Sequence, residues 1–298
     1  MRIVTRPDFD GVVCATLLFE AETIVEPTLW VEPNDMQAGA VDIRSGDIVA
    51  NLPFHPDCGM WFDHHYTNRP DREFRGAFRI APSAAGVVFE YYRDRFRRDY
   101  AELVRETDRI DAADLSLDQV LHPERHPYVL LSMTIGNPEG GDEAYWNRVV
   151  QLLRDSEIDA VLADPEVRKR FDEAMARNRA FRDILLEHTR MEGHVSVTDF
   201  RAYDEAPRGN RFLVYSLFPD AVVSVKIRYQ DARRERAIIG VGHSIFNRNC
   251  RVNVGLMLSR FNGGGHRGAG SCTVPASEAE SVLGAIVDIL RANEPNEG

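Results

Sequence analysis

Gly59-Met60-Trp61-Phe62-Asp63-His64-His65 is a short apolar run that ends in a carboxylate and two imidazoles. The run is long enough for one buried strand, and the polar triplet then falls where that strand leaves its sheet. A carboxylate and two imidazoles at that place can bind a metal or position a phosphate. Alone, the triplet is also explained as a hydrogen-bonded turn. Two further polar clusters change the weighing: Arg6-Pro7-Asp8-Phe9-Asp10-Gly11, between a strand pattern and a helix pattern, and Gly263-Gly264-Gly265-His266 far downstream. Three polar clusters at turns point to one composite site.

Working outward, Ile3-Val4-Thr5 reads as a buried strand and residues 11–22 as a helix, followed by strands over 28–31, 48–52 and 60–62. Strands alternating with helices predict an open parallel sheet, in which ligands collect at the carboxyl ends of the strands. Asp8, Asp10, Asn51 and Asp63 to His65 then converge. Ser83 is the expected N-cap of a helix over 84–97, with Val87, Val88, Tyr91 and Tyr92 as its inward stripe. A second helix over 99–107 empties into Asp108-Arg109-Ile110-Asp111-Ala112-Ala113-Asp114. Residues 142–188 are mostly helical by pattern, and strands are expected over 195–197, 212–217, 222–228 and 237–241. The domain boundary is placed near residue 190, giving domains 1–190 and 191–298, and 293–298 is expected to be a frayed tail.

The 298 residues suffice for two domains, and 44% hydrophobic with 28% charged residues describes a soluble globular chain. No stretch approaches the roughly 18 apolar residues of a membrane span, and the N-terminal residues lack a signal peptide's apolar core, so a cytoplasmic location is expected. Cys14, Cys58, Cys250 and Cys272 show no close pair and are expected to be reduced. The formal charge of -11 argues against a generic nucleic-acid coat. Residues 201–275 nevertheless hold twelve Lys and Arg against five Asp and Glu, which places an anion-binding surface, or a solvated basic face, in the C-terminal part.

Asp8 and Asp10 sit two apart before Gly11, whose missing side chain permits a sharp turn. Paired carboxylates with His64 make a mixed oxygen and nitrogen shell suited to Mn²⁺ or a related divalent ion. An Asx-type helix cap at Asp10 is the competing account. Asp108, Asp111 and Asp114 would share one helical face, solvated or beside a cation. The stretch 263–270 offers backbone amides with His266 and Arg267 for a phosphoryl oxygen, or else a flexible loop. Lys226 and Arg228 could line an anion groove or solubilise an edge strand, and Phe261 and Tyr229 could stack a base or form the groove wall.

Together these residues resemble the DHH phosphoesterase superfamily, in its exopolyphosphatase-related branch near oligoribonucleases and phosphodiesterases. The triplet matches Asp63 to His65, the first Asp-x-Asp-Gly motif matches Asp8 to Gly11, and the Gly-Gly-Gly-His motif of the DHH-associated domain matches Gly263 to His266. The resemblance implies an α/β fold, with a parallel-sheet N-terminal domain, a smaller mixed α/β C-terminal substrate-binding domain and a cleft between them. It implies Asp8, Asp10, His64 and Asp111 as metal ligands, with Asp108 in reserve, and one or two Mn²⁺ (or Mg²⁺ or Co²⁺) ions. Asp63, His65, Arg6 and Asn51 are the catalytic candidates, and Arg228, Gly263, Gly264, Gly265, His266 and Arg267 the substrate-binding ones. Arg6 and Asn51 depart from the family's usual histidine and bridging aspartate; Arg6 has no lone pair to offer a metal. His55 and Asp57 are candidate replacements. The implied function is metal-dependent hydrolysis of a phosphoester or phosphoanhydride: a short oligonucleotide, a cyclic dinucleotide or polyphosphate. A catalytically silent phosphate- or nucleotide-binding protein is the alternative. Expected partners are phosphorylated small molecules or short oligonucleotides, with no membrane and no stable duplex; a homodimer is left open.

Overall fold

Ile3 and Val4 are both fully buried yet belong to different apolar clusters, because successive strand residues face opposite sides of a sheet. The same alternation recurs at Ile48 and Val49 and at Trp61 and Phe62, so both faces of this sheet are covered. The computed structural model describes residues 1–136 and 141–297. They fall into two compact units: 1–115 with 123–172, and 116–122 with 173–298.

The first unit begins with β1 (Arg2–Thr5), α1 (Phe9–Ala21), β2 (Leu29–Trp30), α2 (Pro33–Gln37), β3 (Asp47–Ala50), β4 (Met60–Asp63) and β5 (Gly76–Phe78). α3 (Ala84–Tyr91) and α4 (Ala101–Asp111) follow, and after α5 (Leu117–Leu121), which belongs to the second unit, come α6 (Pro127–Ile135), α7 (Glu143–Asp155) and α8 (Ile158–Ala163). The five strands are all parallel in the order β2-β1-β3-β4-β5. The order reverses direction between β1 and β3, and at such a switch point the loops leaving the two strands diverge and open a crevice at their carboxyl ends. Asp8 follows β1, Asn51 follows β3, and Asp63 ends β4.

The helix α9 (Pro165–His188) runs from the first unit into the second, which continues with β6 (Thr189–Glu192), β7 (Val195–Asp199), α10 (Leu213–Leu217), β8 (Val223–Tyr229) and β9 (Arg236–His243). α11 (Val254–Ser259), β10 (Gly264–His266), β11 (Ala269–Pro275) and α12 (Ala279–Ala292) complete it. The mixed sheet has the order β10-β11-β9-β8-β7-β6, with β7 and β8 its parallel pair. Val223, Val225 and Ile227 point into a core with Ile239, Cys272 and, from α12, Leu283 and Ile286. The α/β class and the two-part architecture are as expected.

Several local expectations are corrected. Residues 212–217 form no strand; Phe212 caps the short helix α10. Periodicity cannot separate the two for a short apolar run, and Pro219 just beyond disfavours continuing the helix. The helix expected over 84–97 stops at Tyr91, and Tyr91, expected to face inward, is exposed. α4 instead runs four residues past Thr107, so Asp108 and Asp111 are helical while Asp114 is not. The tail is tied down rather than frayed as far as it is described: Asn293 accepts from the Arg251 amide and Asn296 from the Asn253 amide, both at 2.7 Å. Gly298 lies outside the described residues. All four cysteines are free, and among the described residues no helix is long and apolar enough to cross a membrane.

The turn from β1 into α1 depends on a close approach. A Cβ built on Gly11 would lie 1.9 Å from the Arg6 carbonyl oxygen, a backbone atom. Gly11→Ala is expected to destabilise the protein by on the order of 3 kcal/mol, read as a lowered urea midpoint with an unchanged slope. A midpoint equal to that of the unsubstituted chain would show that this turn has room to spare.

Candidate metal and phosphate site

Asp8 leaves β1 in an extended conformation and caps α1, its Oδ1 accepting from the Gly11 amide at 2.8 Å. The helix cap is therefore Asp8, not Asp10 as the competing account had it. The same Oδ1 accepts from Asn51 Nδ2 at 3.0 Å, and Oδ2 lies 3.2 Å from Arg6 Nε. Asn51 sits at φ 55°, a left-handed conformation that asparagine tolerates better than most residues, and its buried Oδ1 has no hydrogen-bond partner. Arg6 and Asn51 thus both contact Asp8.

Asp63 is fully buried at the end of β4 and its acceptor capacity is spent locally. Oδ1 accepts from the His64 amide and from His65 Nδ1, both at 2.8 Å, and Oδ2 accepts from Asn68 Nδ2 at 2.7 Å. The first of the three triplet residues therefore orients the other two. The bond from Asp63 is the main reason that the His65 pKa is raised, burial opposing it. His64 and His65 rings stand 4.1 Å apart.

Asp10 lies in the first turn of α1, completely buried, where Oδ2 accepts from the Ala84 amide at 2.9 Å and Oδ1 from the Ala85 amide at 2.8 Å. These are amides of the first turn of α3, which lack partners within their own helix and favour a negative charge. Ser83 caps the same helix and donates to Asp108 Oδ1 at 2.5 Å, so Asp108 braces α3. Asp111, one turn further along α4, instead reaches His64. This distinguishes the two candidates by position.

His64 Nδ1 lies 2.9 Å from the Ala81 carbonyl oxygen, which requires a donating N–H there. In the neutral ring the lone pair is then on Nε2, which is buried and has no hydrogen-bond partner. Nε2 faces Asp111 Oδ2 at 3.4 Å and Asp10 Oδ2 at 3.8 Å. One nitrogen lone pair and two carboxylates pointing at one another repel unless a proton or cation lies between them. Burial, then Asp111 and Asp8, push the Asp10 carboxyl well up; burial, only partly offset by Arg6, pushes Asp8 to about 6. The donor set of Asp10, His64 and Asp111, with a carbonyl fixing the far side of the imidazole, fits a divalent ion. His55 and Asp57 belong to neither ligand cluster found among the described residues.

In the second unit, the glycines expected to form an open amide cradle are mostly a paired hairpin. Gly264, Gly265 and His266 pair with Ser271, Gly270 and Ala269. The missing side chains allow close packing: a Cβ on Gly265 would lie 2.3 Å from the Ala269 carbonyl oxygen, and its φ is 147°. Gly263 is packed against Cys272, His266 is exposed, and Arg267 pairs with Glu297. Arg228 donates to the Tyr229 carbonyl at 3.2 Å. Sequence reasoning missed the Ala81 carbonyl, the Ala84 and Ala85 amides and Asn68; the Pro82-Ser83 helix start was the one signal that free amides lay nearby.

Solved structures share this architecture. The chain has 30% identity and a TM-score of 0.86 with PggH, a pGpG-specific phosphodiesterase from Vibrio cholerae, over 98% of this chain and 99% of that one. An exopolyphosphatase-related protein from Bacteroides fragilis gives 12% identity and TM-score 0.52 over 98% and 92%. RecJ from Thermus thermophilus, crystallised with Mn²⁺, gives 14% and 0.56 over 99% of this chain and 52% of that one. The last two likenesses are of fold. No family model and no curated protein sequence matches the chain.

The carboxylates carry a testable cost. A carboxyl whose folded pKa is raised above its unfolded value destabilises the fold where it is ionised, so the penalty grows as pH rises toward about 6 and is fully present above it. Removing one repelling neighbour by Asp111→Asn is expected to raise the melting temperature in EDTA at pH 7.5. The gain should shrink as pH is lowered through 6. A lowered melting temperature at pH 7.5 would contradict this reading of the cluster.

Proposed function

This chain belongs to the DHH phosphoesterase superfamily, and we propose that it is a phosphodiesterase of short linear oligonucleotides, with a pGpG-type guanine dinucleotide its first candidate substrate. The observation that carries the reading is the unpartnered His64 Nε2 facing Asp10 and Asp111, in a chain that is 30% identical to PggH over nearly its whole length. The assignment of 1–190 as the metal-holding part and 191–298 as the substrate-holding part belongs to the same proposal. A silent phosphate binder is not favoured, since PggH and RecJ bear the names of enzyme activities or enzymes.

Asp10, His64 and Asp111 would hold a divalent ion, Mn²⁺ in first place with Mg²⁺ or Co²⁺ as substitutes, whose chemistry is to acidify water and neutralise phosphoryl oxygens. The chain's own groups do the rest. Arg6, fixed beside Asp8, offers N–H donors to a phosphate oxygen. As water adds to phosphorus and the bond to the leaving oxygen breaks, His65 supplies a proton from Nε2 to that oxygen, leaving two monophosphates from a 5′-phosphorylated dinucleotide. Asp63 accepts from His65 Nδ1, which raises the proton affinity of the ring and aims its Nε2, a positioning role. His266 and the hairpin glycines, with Arg228 and Arg267, are proposed to hold substrate phosphate.

Mn²⁺-dependent release of GMP from pGpG is the expected activity, followed by chromatography. Asp10→Ala and His64→Ala should each lower kcat/KM by about 10²-fold or more. Turnover unchanged in both variants would overturn the mechanism; turnover of polyphosphate but not pGpG would overturn the substrate.

A further inference from the structure

A lone pair that accepts a hydrogen bond is not open to a cation, so the use of each carboxylate oxygen limits how many ions a site can take. The described residues hold two clusters of metal-ligating side chains, Asp63 with His64 and His65, and Asp10 with His64 and Asp111. In the first, protein donors engage both carboxylate oxygens: Asp63 Oδ1 faces the His64 amide and His65 Nδ1, both at 2.8 Å, and Asn68 Nδ2 holds Oδ2 at 2.7 Å. His65 Nδ1 is spent in the same bond, which leaves that residue only Nε2. His64 Nε2, buried without a hydrogen-bond partner, faces the second cluster instead.

Asp8 belongs to neither cluster, although it stands two residues from Asp10. Its Oδ1 accepts from the Gly11 amide at 2.8 Å and from Asn51 Nδ2 at 3.0 Å, and its Oδ2 lies 3.2 Å from Arg6 Nε. Two of these donors act on Asp8 as a cation would. The guanidinium neutralises the carboxylate with a charge that no ordinary pH removes, and it has no lone pair with which to bind a metal. The Asn51 amide turns its N–H toward Asp8, because an ionised carboxylate can only accept. An aspartate at that position would bring a second carboxylate against the first, an arrangement that requires a proton or a cation between them.

We propose that this site takes a single divalent ion, held by Asp10, His64 and Asp111, and that Arg6 and Asn51 exclude a second, with Asp8 a positioning residue and not a ligand. The proposal rests on the reading of Asp10, His64 and Asp111 as the metal site, and it adds the number of ions. Arg6 then supplies at the edge of the site a positive charge that cannot dissociate. Its other carboxylate neighbour, Glu32, is exposed and 3.9 Å away.

Counting bound ions tests this without reference to turnover. Mn²⁺ is titrated into the full chain at pH 7.5, and free Mn²⁺ is read from its electron paramagnetic resonance signal. One ion per chain is expected at saturation. Asp8→Asn keeps a side chain that caps helices, and it is expected to bind one ion with a dissociation constant changed by less than about tenfold. Asp111→Asn should weaken binding by more than about tenfold. The paired substitution of Arg6→His with Asn51→Asp brings a lone pair and a carboxylate to Asp8, at a left-handed position that aspartate also tolerates, and two ions per chain are expected. Two ions on the unsubstituted chain, or loss of binding in Asp8→Asn, would overturn the proposal and leave the metal site standing. No ion on the unsubstituted chain, or undiminished binding in Asp111→Asn, would overturn the metal site and the single-ion account with it. A paired variant that is folded by circular dichroism and still binds one ion would overturn the role given to Arg6 and Asn51; should it not fold, the count on the unsubstituted chain and on Asp8→Asn decides.

Discussion

The buried carboxylate of Asp10, bound by the Ala84 and Ala85 amides, is the interaction on which the rest of the first unit turns. It joins the start of α1 to the start of α3 with two charge-assisted hydrogen bonds, and a carboxylate so buried is tolerable only because those amides are aimed at it. From that junction the other parts follow. Ser83 caps α3 and holds Asp108; α4 is thereby registered so that Asp111, one turn on, meets His64. The parallel sheet brings His64 to the same place from β4, and the Ala81 carbonyl, just before α3, sets its ring.

This geometry separates holding from reacting. Asp63 spends both oxygens and Asp108 its Oδ1 on neighbouring groups, whereas His64 Nε2 is left without a hydrogen-bond partner. Unequal satisfaction of this kind is expected where a fold keeps buried polar groups for a ligand rather than for itself. Asp8 stands between the two cases: it caps α1 and meets Arg6 and Asn51, the residues at which the chain departs from its family's usual pattern. A guanidinium beside this carboxylate supplies fixed positive charge at the edge of the cluster.

Much of this was legible in the sequence, for physical reasons. Strands buried on both faces announce themselves as short continuous apolar runs, so β1, β3 and β4 and the polar groups that follow them are legible directly, and Ser83 before an apolar helix reads as its N-cap. What escaped depends on three-dimensional closure. Nothing local distinguishes Asp8 from Asp10 as the cap, since that is decided by which carboxylate Ala84 and Ala85 can reach. The residues of α10 were read as a strand because five or six apolar positions carry too little period to decide. The glycines at 263–270 looked like an open loop, because their use in close strand pairing is visible only once β10 and β11 are side by side.

The central claim is that His64 Nε2, Asp10 and Asp111 form a cation site. Diffraction from Mn²⁺-soaked crystals at the manganese absorption edge measures it most directly, because anomalous scattering identifies the element as well as its place. The account predicts an anomalous peak in contact with His64 Nε2 and with carboxylate oxygens of Asp10 and Asp111. A map with no peak there, and with His64 Nε2 bonded to a water or a protein group instead, would contradict it.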